Sequence, residues 1–290
     1  MKKIRFGIIG CGLMGREFAS AAARWLHLDG VEAAPEIVAV CSGHESSMDW
    51  FASRIDTIKQ RTTDYRQLLD NPDVDAVYAA VPHHLHQEFY RATVESGKHL
   101  MGEKPFGIDR QANRAILDSV RAHPECFVRC ASQFIFFSGM QGIGRLIEQE
   151  SIGKIIEVNV GFLHSSDLNT SKPVNWKRRI ATNGEYGSMG DLGMHACLLP
   201  IRAGWRPRRV FAVLSNIVPE RPDGQGGTAA CETWDNAVVS CEAECQNSGG
   251  RFPMTLRTHR IAPGEKNSLY VEILGTRTSV RWSTKRINTD

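Results

Sequence analysis

The chain has 290 residues, 42% hydrophobic and 23% charged, with 35 Lys and Arg against 32 Asp and Glu for a net charge of +3. That length suggests one large or two ordinary domains with a substantial core. The small basic excess, and the shortness of the runs at Lys177-Arg178-Arg179 and Arg206 to Arg209, exclude a nucleic-acid binder and read as solvated loops; the absence of any 18-residue apolar run excludes a transmembrane helix.

Lys3 to Ile9 reads as a short buried strand that runs into Gly10-Cys11-Gly12-Leu13-Met14-Gly15 and then into a helix from Arg16 to Trp25. In a strand-turn-helix setting the three glycines have separate tasks: a tight turn, close approach of a pyrophosphate to the backbone, and packing of helix on strand. The N–H groups at the helix start then hold the phosphates, which makes this a dinucleotide site. A secretory signal is the rival reading of the same segment, since Met1-Lys2-Lys3 is basic and Ala21 to Ala23 is small. Arg5 and the glycines break the apolar block such a signal needs.

Pro35 to Cys41 is a second strand, apolar along its length as in a parallel sheet covered on both faces. A helix follows around Ser46 to Arg54. Thr63 to Leu69 reads as a capped helix, with Asp64 as cap and Gln67 three residues on as its capping-box partner. Val74 to Val81 is a third strand, Leu85 to Ser96 a helix closed by Gly97, His99 to Met101 a short strand, Asp109 to His123 a helix capped by Asp109, and Cys126 to Ala131 the last strand. This alternation predicts a doubly wound sheet over residues 1–131.

From residue 132 to 290 the pattern changes. A helix covers Ser138 to Gln149 and a second one Gly190 to Ala203. Strands are expected at Lys154 to His164, Arg209 to Asn216, Asn236 to Cys245, Met254 to Arg260 and Ser268 to Trp282. The fold class is therefore α/β: an N-terminal doubly wound parallel sheet of Rossmann type, followed by an α+β domain on a mostly antiparallel open sheet. The eight cysteines lack C-x-x-C spacing and read as reduced thiols of a cytoplasmic protein. No Cys/His cluster has zinc-ligand spacing, so no metal is expected.

Ligands of an open parallel sheet lie beyond the carboxyl ends of its strands. Ser42-Gly43-His44 follows strand two, where an NAD site usually carries an Asp or Glu for the ribose. Ser42 removes that charge, which tolerates a 2′-phosphate, but no Arg follows directly; NAD or NADP stays open, with NADP slightly favoured. Val81-Pro82-His83-His84-Leu85-His86 lines the nicotinamide pocket, with His83 and His86 near one face. Glu103-Lys104-Pro105 ends the next strand, and Lys104 is placed for proton transfer once burial and a cationic ring lower its pKa. Far downstream, Asp191 and His195 stand four apart on one helix face, a carboxylate beside an imidazole. Asn175 to Arg178 precedes that helix; Trp176, Lys177 and Arg178 offer a stacking surface and donors to a sugar.

The motifs Gly10 to Gly15, Val81 to His86, Glu95 to Pro105 and Gly190-Asp191-Leu192-Gly193-Met194-His195, in this order, resemble the family of glucose–fructose oxidoreductase, inositol dehydrogenase and the rhizopine-catabolism dehydrogenase. Leu274-Gly275-Thr276 is similar to that family's late strand-turn. The resemblance implies NAD(P)-dependent oxidation of a secondary alcohol on a sugar, cyclitol or related polyol. It implies Lys104, Asp191 and His195 as the catalytic set, His195 as base with Asp191 orienting it and Lys104 polarising the oxygen, or the reverse assignment of His195 and Lys104. It also implies a frequently cis Lys104-Pro105 bond and a second domain that carries substrate and builds a homo-oligomer, dimer or tetramer. Two departures fall on the substrate side. Leu198 stands where the family often has Asp, and Gln133-Phe134-Ile135 where an Arg is common. Relatives also continue past a strand like 271–282, so a C-terminal truncation is expected. Two other activities on the same fold remain: an NAD-dependent enzyme that cleaves glycosides without net redox, and a non-catalytic dinucleotide sensor such as the yeast galactose-pathway repressor.

Overall fold

The computed structural model describes residues 1–286, and the chain divides into two compact units, Met1–Ala131 and Ser132–Asp290. Residues 287–290 of the second expected domain lie outside the described residues. Among the described residues no helix is long and apolar enough to cross a membrane.

The first unit runs β1 (Lys2–Ile9), α1 (Leu13–Ala22), β2 (Ala33–Cys41), α2 (Asp49–Ala52), β3 (Gln60–Thr62), α3 (Tyr65–Leu69), β4 (Ala76–Ala79), α4 (His86–Glu95), β5 (His99–Gly102), α5 (Arg110–Ala122) and β6 (Val128–Cys130). All its strand pairs are parallel, in the order β3-β2-β1-β4-β5-β6. The order reverses between β1 and β4, so the crevice for a ligand opens at their carboxyl ends. The central strands are buried on both faces: Ile8, Ala39, Val40, Val77 and Ala79 are wholly enclosed, which is why their sequences show no polar alternation.

Caps fix two helices. Asp109 Oδ1 accepts from the Ala112 N–H at 2.7 Å, and Asp64 Oδ1 from the Arg66 N–H at 3.0 Å. The expected capping box does not close. Gln67 Oε1 accepts instead from the Thr62 hydroxyl, whose oxygen in turn accepts from the Asp64 N–H. The helix expected at 46–54 is a 3-10 turn (Glu45–Met48) followed by the single turn of α2.

The second unit runs α6 (Ser138–Glu148), β7 (Ile155–Leu163), α7 (Ile180–Asn183), α8 (Gly187–Arg202), β8 (Trp205–Ser215), a small hairpin of β9 (Glu220–Pro222) and β10 (Thr228–Ala230), β11 (Asn236–Cys245), β12 (Arg251–His259), β13 (Ser268–Gly275) and β14 (Val280–Ser283). The sheet order is β14-β13-β7-β12-β11-β8, antiparallel except for the parallel β7–β12 pair. The single strand expected over 268–282 is thus two, β13 and β14, joined as a hairpin. α8 starts one turn earlier than its sequence pattern suggested. Leu192, Ala196 and Leu199 of α8 join Val158, Val160, Phe162, Met254, Leu256, Leu269 and Val271 in one core. These strand residues alternate at period two, which defines the sheet face that α8 covers.

Candidate active site

In the first unit the phosphate turn has three glycines in three environments. Gly10 holds φ +103°, a left-handed conformation that a side chain resists, and its N–H donates to the Cys41 carbonyl at 2.9 Å. A Cβ on Gly15 would come closer to the Gly10 carbonyl oxygen than the 3.0 Å that real Cβ contacts respect. A Cβ on Gly12 would meet nothing within 4 Å. Gly12 is also the N-cap of α1 and offers no side chain to the N–H groups of its first turn. Leu13 and Met14 are exposed beside it. The Cys11 side chain turns inward, donating to the Cys41 carbonyl, and burial pushes its thiol up to about 12.

Ser42 donates its N–H to the Thr62 carbonyl, and Gly43 and His44 are exposed. No arginine directly follows Ser42, but two arginines lie near the phosphate turn. Arg16 on α1 and Arg61, which faces Val40 from β3, both bear on the Cys11 thiol. Arg61 is paired with Asp49 at 2.6 Å.

At the ends of β4 and β5 the loop holding Lys104 is braced from three sides. The Tyr78 hydroxyl donates to Glu103 Oε1 and the Tyr90 hydroxyl to the Glu103 carbonyl, each at 2.6 Å, and the Lys104 N–H donates to Glu103 Oε2 at 3.1 Å. The Lys104-Pro105 bond is cis. His86 corrects one expectation. It is wholly buried, stacked 4.7 Å from Tyr90, with Nδ1 2.6 Å from the Pro105 carbonyl oxygen and Nε2 2.9 Å from that of Val81. Each ring nitrogen faces a backbone carbonyl, and the neutral ring donates to one of them, so His86 packs against the two strand ends rather than facing a cofactor. Burial outweighs the two carbonyls and lowers its pKa to about 4. His83 is also buried, while Val81 is half-buried and Pro82 exposed.

In the second unit Asp191 and His195 share the buried side of α8. The His195 ring lies 4.9 Å from Phe134, edge-on, and 4.8 Å from Phe162. Phe134 occupies the segment where the sequence departs from an expected arginine, and an aromatic wall takes that place. Asp191 Oδ2 accepts from Arg260 Nη2 at 2.7 Å and from Lys177 Nζ at 3.1 Å. Arg260 also reaches Asp167 at 3.6 Å; Asp167 pairs with Arg178, and Arg178 with Asp235 at 2.6 Å. A chain of alternating charges, Asp191–Arg260–Asp167–Arg178–Asp235, therefore runs through the interior. Burying charges costs several kcal/mol per ion, so such a chain persists only because each charge has a partner.

This chain of ions overturns the reading of Arg178. The side chain is 0% exposed and committed to two carboxylates, so it neither belongs to a solvated basic run nor reaches a sugar. Lys177 and Trp176 do remain at the surface, with the ammonium 5.5 Å from the indole centroid, and the Asn175 side chain accepts from the Lys177 N–H. Arg260, Asp167 and Asp235 went unnoticed in the sequence. Arg260 lies 69 residues beyond Asp191 and Asp235 57 beyond Arg178, and no local spacing links such pairs.

Comparison with known proteins places both units. A family model described as an oxidoreductase family with an NAD-binding Rossmann fold matches residues 4–129, and the GFO/IDH/MocA C-terminal domain matches residues 140–281. The chain belongs to the GFO/IDH/MocA oxidoreductases. Within that family it is similar to levoglucosan dehydrogenase of Pseudarthrobacter phenanthrenivorans, 26% identical over 302 residues that cover 99% of this chain and 75% of that protein. It is also similar to dTDP-3,4-didehydro-2,6-dideoxy-alpha-D-glucose 3-reductase of Saccharopolyspora spinosa, 27% identical over 56% of this chain and 46% of that one. Among solved structures, levoglucosan dehydrogenase in complex with NADH and L-sorbose superimposes with a TM-score of 0.89 at 25% identity, over 99% of this chain and 75% of that one. The apo scyllo-inositol dehydrogenase of Lactobacillus casei shares the fold at a TM-score of 0.76, 18% identity and 97% and 75% coverage. The turn at Gly10 to Gly15 fits the dinucleotide of this family, because its one sterically open glycine lies where a pyrophosphate needs the backbone bare.

Proposed function

We propose that this oxidoreductase removes hydrogen from a secondary alcohol of a sugar, cyclitol or related polyol, with Lys104, Asp191 and His195 handling the proton. The observation that carries the reading is the Asp191 carboxylate, buried and gripped by Arg260 and Lys177, on the same helix face as the aromatic-walled His195. His195, one helical turn from Asp191, would take the hydroxyl proton, with Asp191, already neutralised by Arg260 and Lys177, holding the surrounding groups in place. Phe134 and Phe162 keep water from the ring's flanks. The family resemblance gives Lys104, at the braced strand end of the first unit, the task of polarising a substrate oxygen. The nicotinamide, when bound, supplies the acceptor for the departing hydride. The names of the similar proteins, a levoglucosan dehydrogenase and a nucleotide-sugar reductase, support a carbohydrate substrate.

Gly10, Gly12 and Gly15 would hold the pyrophosphate with the backbone of Cys11, Leu13 and Met14. Ser42, with no carboxylate to repel a 2′-phosphate and Arg16 and Arg61 nearby, would admit NADP as well as NAD. Trp176 and Lys177 would face the sugar. Val210, Phe211, Val213 and Leu214, exposed on the edge strand β8, support the reading of a homo-oligomer, and eight free cysteines that of a reducing compartment.

The test is a panel of pyranoses, anhydrosugars and inositols assayed with NAD and with NADP for reduced-nicotinamide absorbance. We expect at least one substrate, and a drop of about 10²–10⁴-fold in kcat for Lys104→Ala and for His195→Asn at unchanged cofactor affinity. Hydrolysed glycoside without net absorbance would favour the glycoside-cleaving alternative; cofactor binding without any turnover would favour a sensor.

A further inference from the structure

We propose that His164 is a substrate-binding, specificity-determining residue, its Nε2–H donating a hydrogen bond to a hydroxyl or ring oxygen of the bound sugar or polyol beside Asp191. This rests on the reading of the second unit as the carbohydrate-binding part of a dehydrogenase, and it adds a contact that neither the motifs nor the helix spacing indicated.

The first argument is which face the side chain takes. Val158, Val160 and Phe162 alternate along β7 on the side that α8 covers, and Phe162 packs its ring on His195. His164 is the next residue in that alternation, one step past the end of the strand. The ladder continues that far, because the His164 N–H donates to the His259 carbonyl at 2.7 Å and the Ala262 N–H donates to the His164 carbonyl at 2.9 Å.

The second argument is register. β7 and β12 run parallel, with Thr258 opposite Phe162 and His259 opposite Leu163. One step further sets Arg260 opposite His164. Arg260 is the residue whose guanidinium grips Asp191. His164 thus stands beside the cation that anchors the helix carboxylate, on the same side of the sheet as the imidazole of His195. The charges that bear on it are those of Asp167, Asp191 and Arg260 of the buried ion chain and of Lys177 at the surface.

The third argument is the state of the ring. The Ser166 N–H donates to His164 Nδ1 at 2.8 Å. A nitrogen that accepts a hydrogen bond carries no proton, so the proton of the neutral ring sits on Nε2. Partial burial lowers the pKa of this imidazole below its ordinary value, which keeps the ring neutral at pH 7 and Nε2 a donor. Unlike His86 and Arg178, His164 is only half-buried. A fixed, partly accessible donor at a carbohydrate site selects for an oxygen at one position of the ligand.

Two substitutions separate this role from a structural one. Asn at 164 keeps an acceptor near Nδ1 for the Ser166 N–H but lacks the Nε2 donor. Gln places an amide N–H near Nε2 but loses the turn contact. For His164→Asn we expect KM for the best substrate to rise about 3–10-fold, the worth of one neutral hydrogen bond, with NADH affinity and melting temperature unchanged. The wild type should lose the same factor on one deoxy analogue of that substrate, and His164→Asn should be indifferent to that deoxygenation. His164→Gln should recover part of the preference. Unchanged KM, or equal deoxy penalties in wild type and His164→Asn, would overturn the assignment. Calorimetric titration of the NADH-loaded full chain with levoglucosan, scyllo-inositol and their deoxy analogues keeps this separate from the reaction itself. If no alcohol is oxidised yet a polyol binds more weakly to His164→Asn, the dehydrogenase reading falls and the contact stands. If no polyol binds, or all bind both proteins equally, the contact falls.

Discussion

Adding one methyl group at two positions of the same turn should have opposite consequences. Gly12 has φ −79° and ψ −160°, a region open to alanine, and a Cβ there meets nothing within 4 Å. Fold stability of Gly12→Ala should therefore move by no more than about 1 kcal/mol, since the lower entropy of the unfolded chain offsets a poorer N-cap. The methyl does, however, stand where a pyrophosphate must approach the backbone. Steric intrusion of that kind costs about 1–3 kcal/mol, or roughly 5–150-fold in Kd. At Gly15 alanine is the better helix former by about 1 kcal/mol, yet its Cβ would collide with the Gly10 carbonyl oxygen, and neither belongs to a side chain that can swing away. Gly15→Ala should destabilise the fold by about 1–3 kcal/mol. Fluorescence titration with NADH and NADPH, beside thermal unfolding of both variants, reads the two effects. Native affinity in Gly12→Ala, or equal losses of melting temperature in the two variants, would refute the division of labour among the glycines.

Asp235→Ala should leave the buried Arg178 guanidinium with Asp167 as its remaining carboxylate and cost about 3–5 kcal/mol, visible as a melting temperature lowered by roughly 6–20 °C at about 2–4 °C per kcal/mol; a loss below about 1 kcal/mol would mean that the ion chain contributes little. His86 provides a pH test. Its folded pKa, about 4, lies below the ordinary value near 6.5, so the unfolded chain binds the extra proton and stability falls as pH drops from 6.5 toward 4. The full loss is about 3 kcal/mol, and denaturant titrations of His86→Gln between pH 7 and 4 should show a correspondingly flatter profile.

The parts of the fold that could be read from sequence are those governed by near neighbours along the chain. The apolar run Ile37 to Cys41 could only be an enclosed strand, Asp109 capped the helix it preceded, and the glycine spacing specified the turn. β3 escaped notice because Gln60, Arg61 and Thr62 carry no apolar signal; β2 draws them into the sheet through backbone pairing alone. Gly275 and its neighbours split one expected strand into the β13–β14 hairpin. At the site, the i,i+4 placement of Asp191 and His195 was legible, but the partners of Asp191 were not. Lys177 comes from a loop and Arg260 from a strand end, and a charge in an otherwise polar stretch gives no sign of becoming buried. The same ambiguity misled the reading of Arg178, since a Lys-Arg-Arg run reads the same whether it is wet or enclosed.

The alternating ions of the interior also decide where this protein can vary. Because Asp191 is pinned by the Arg260 guanidinium just past β12, and that guanidinium by the loop carrying Asp167, the helix that bears Asp191 takes its bearings from the sheet margin. The β9–β10 hairpin belongs to the same framework, since the buried Arg221 of β9 donates to the carbonyls of Asp167 and Asn169 and the Val174 N–H donates to the Pro222 carbonyl; its tip, residues 223–227, can exchange residues without disturbing what anchors the Asp191 carboxylate.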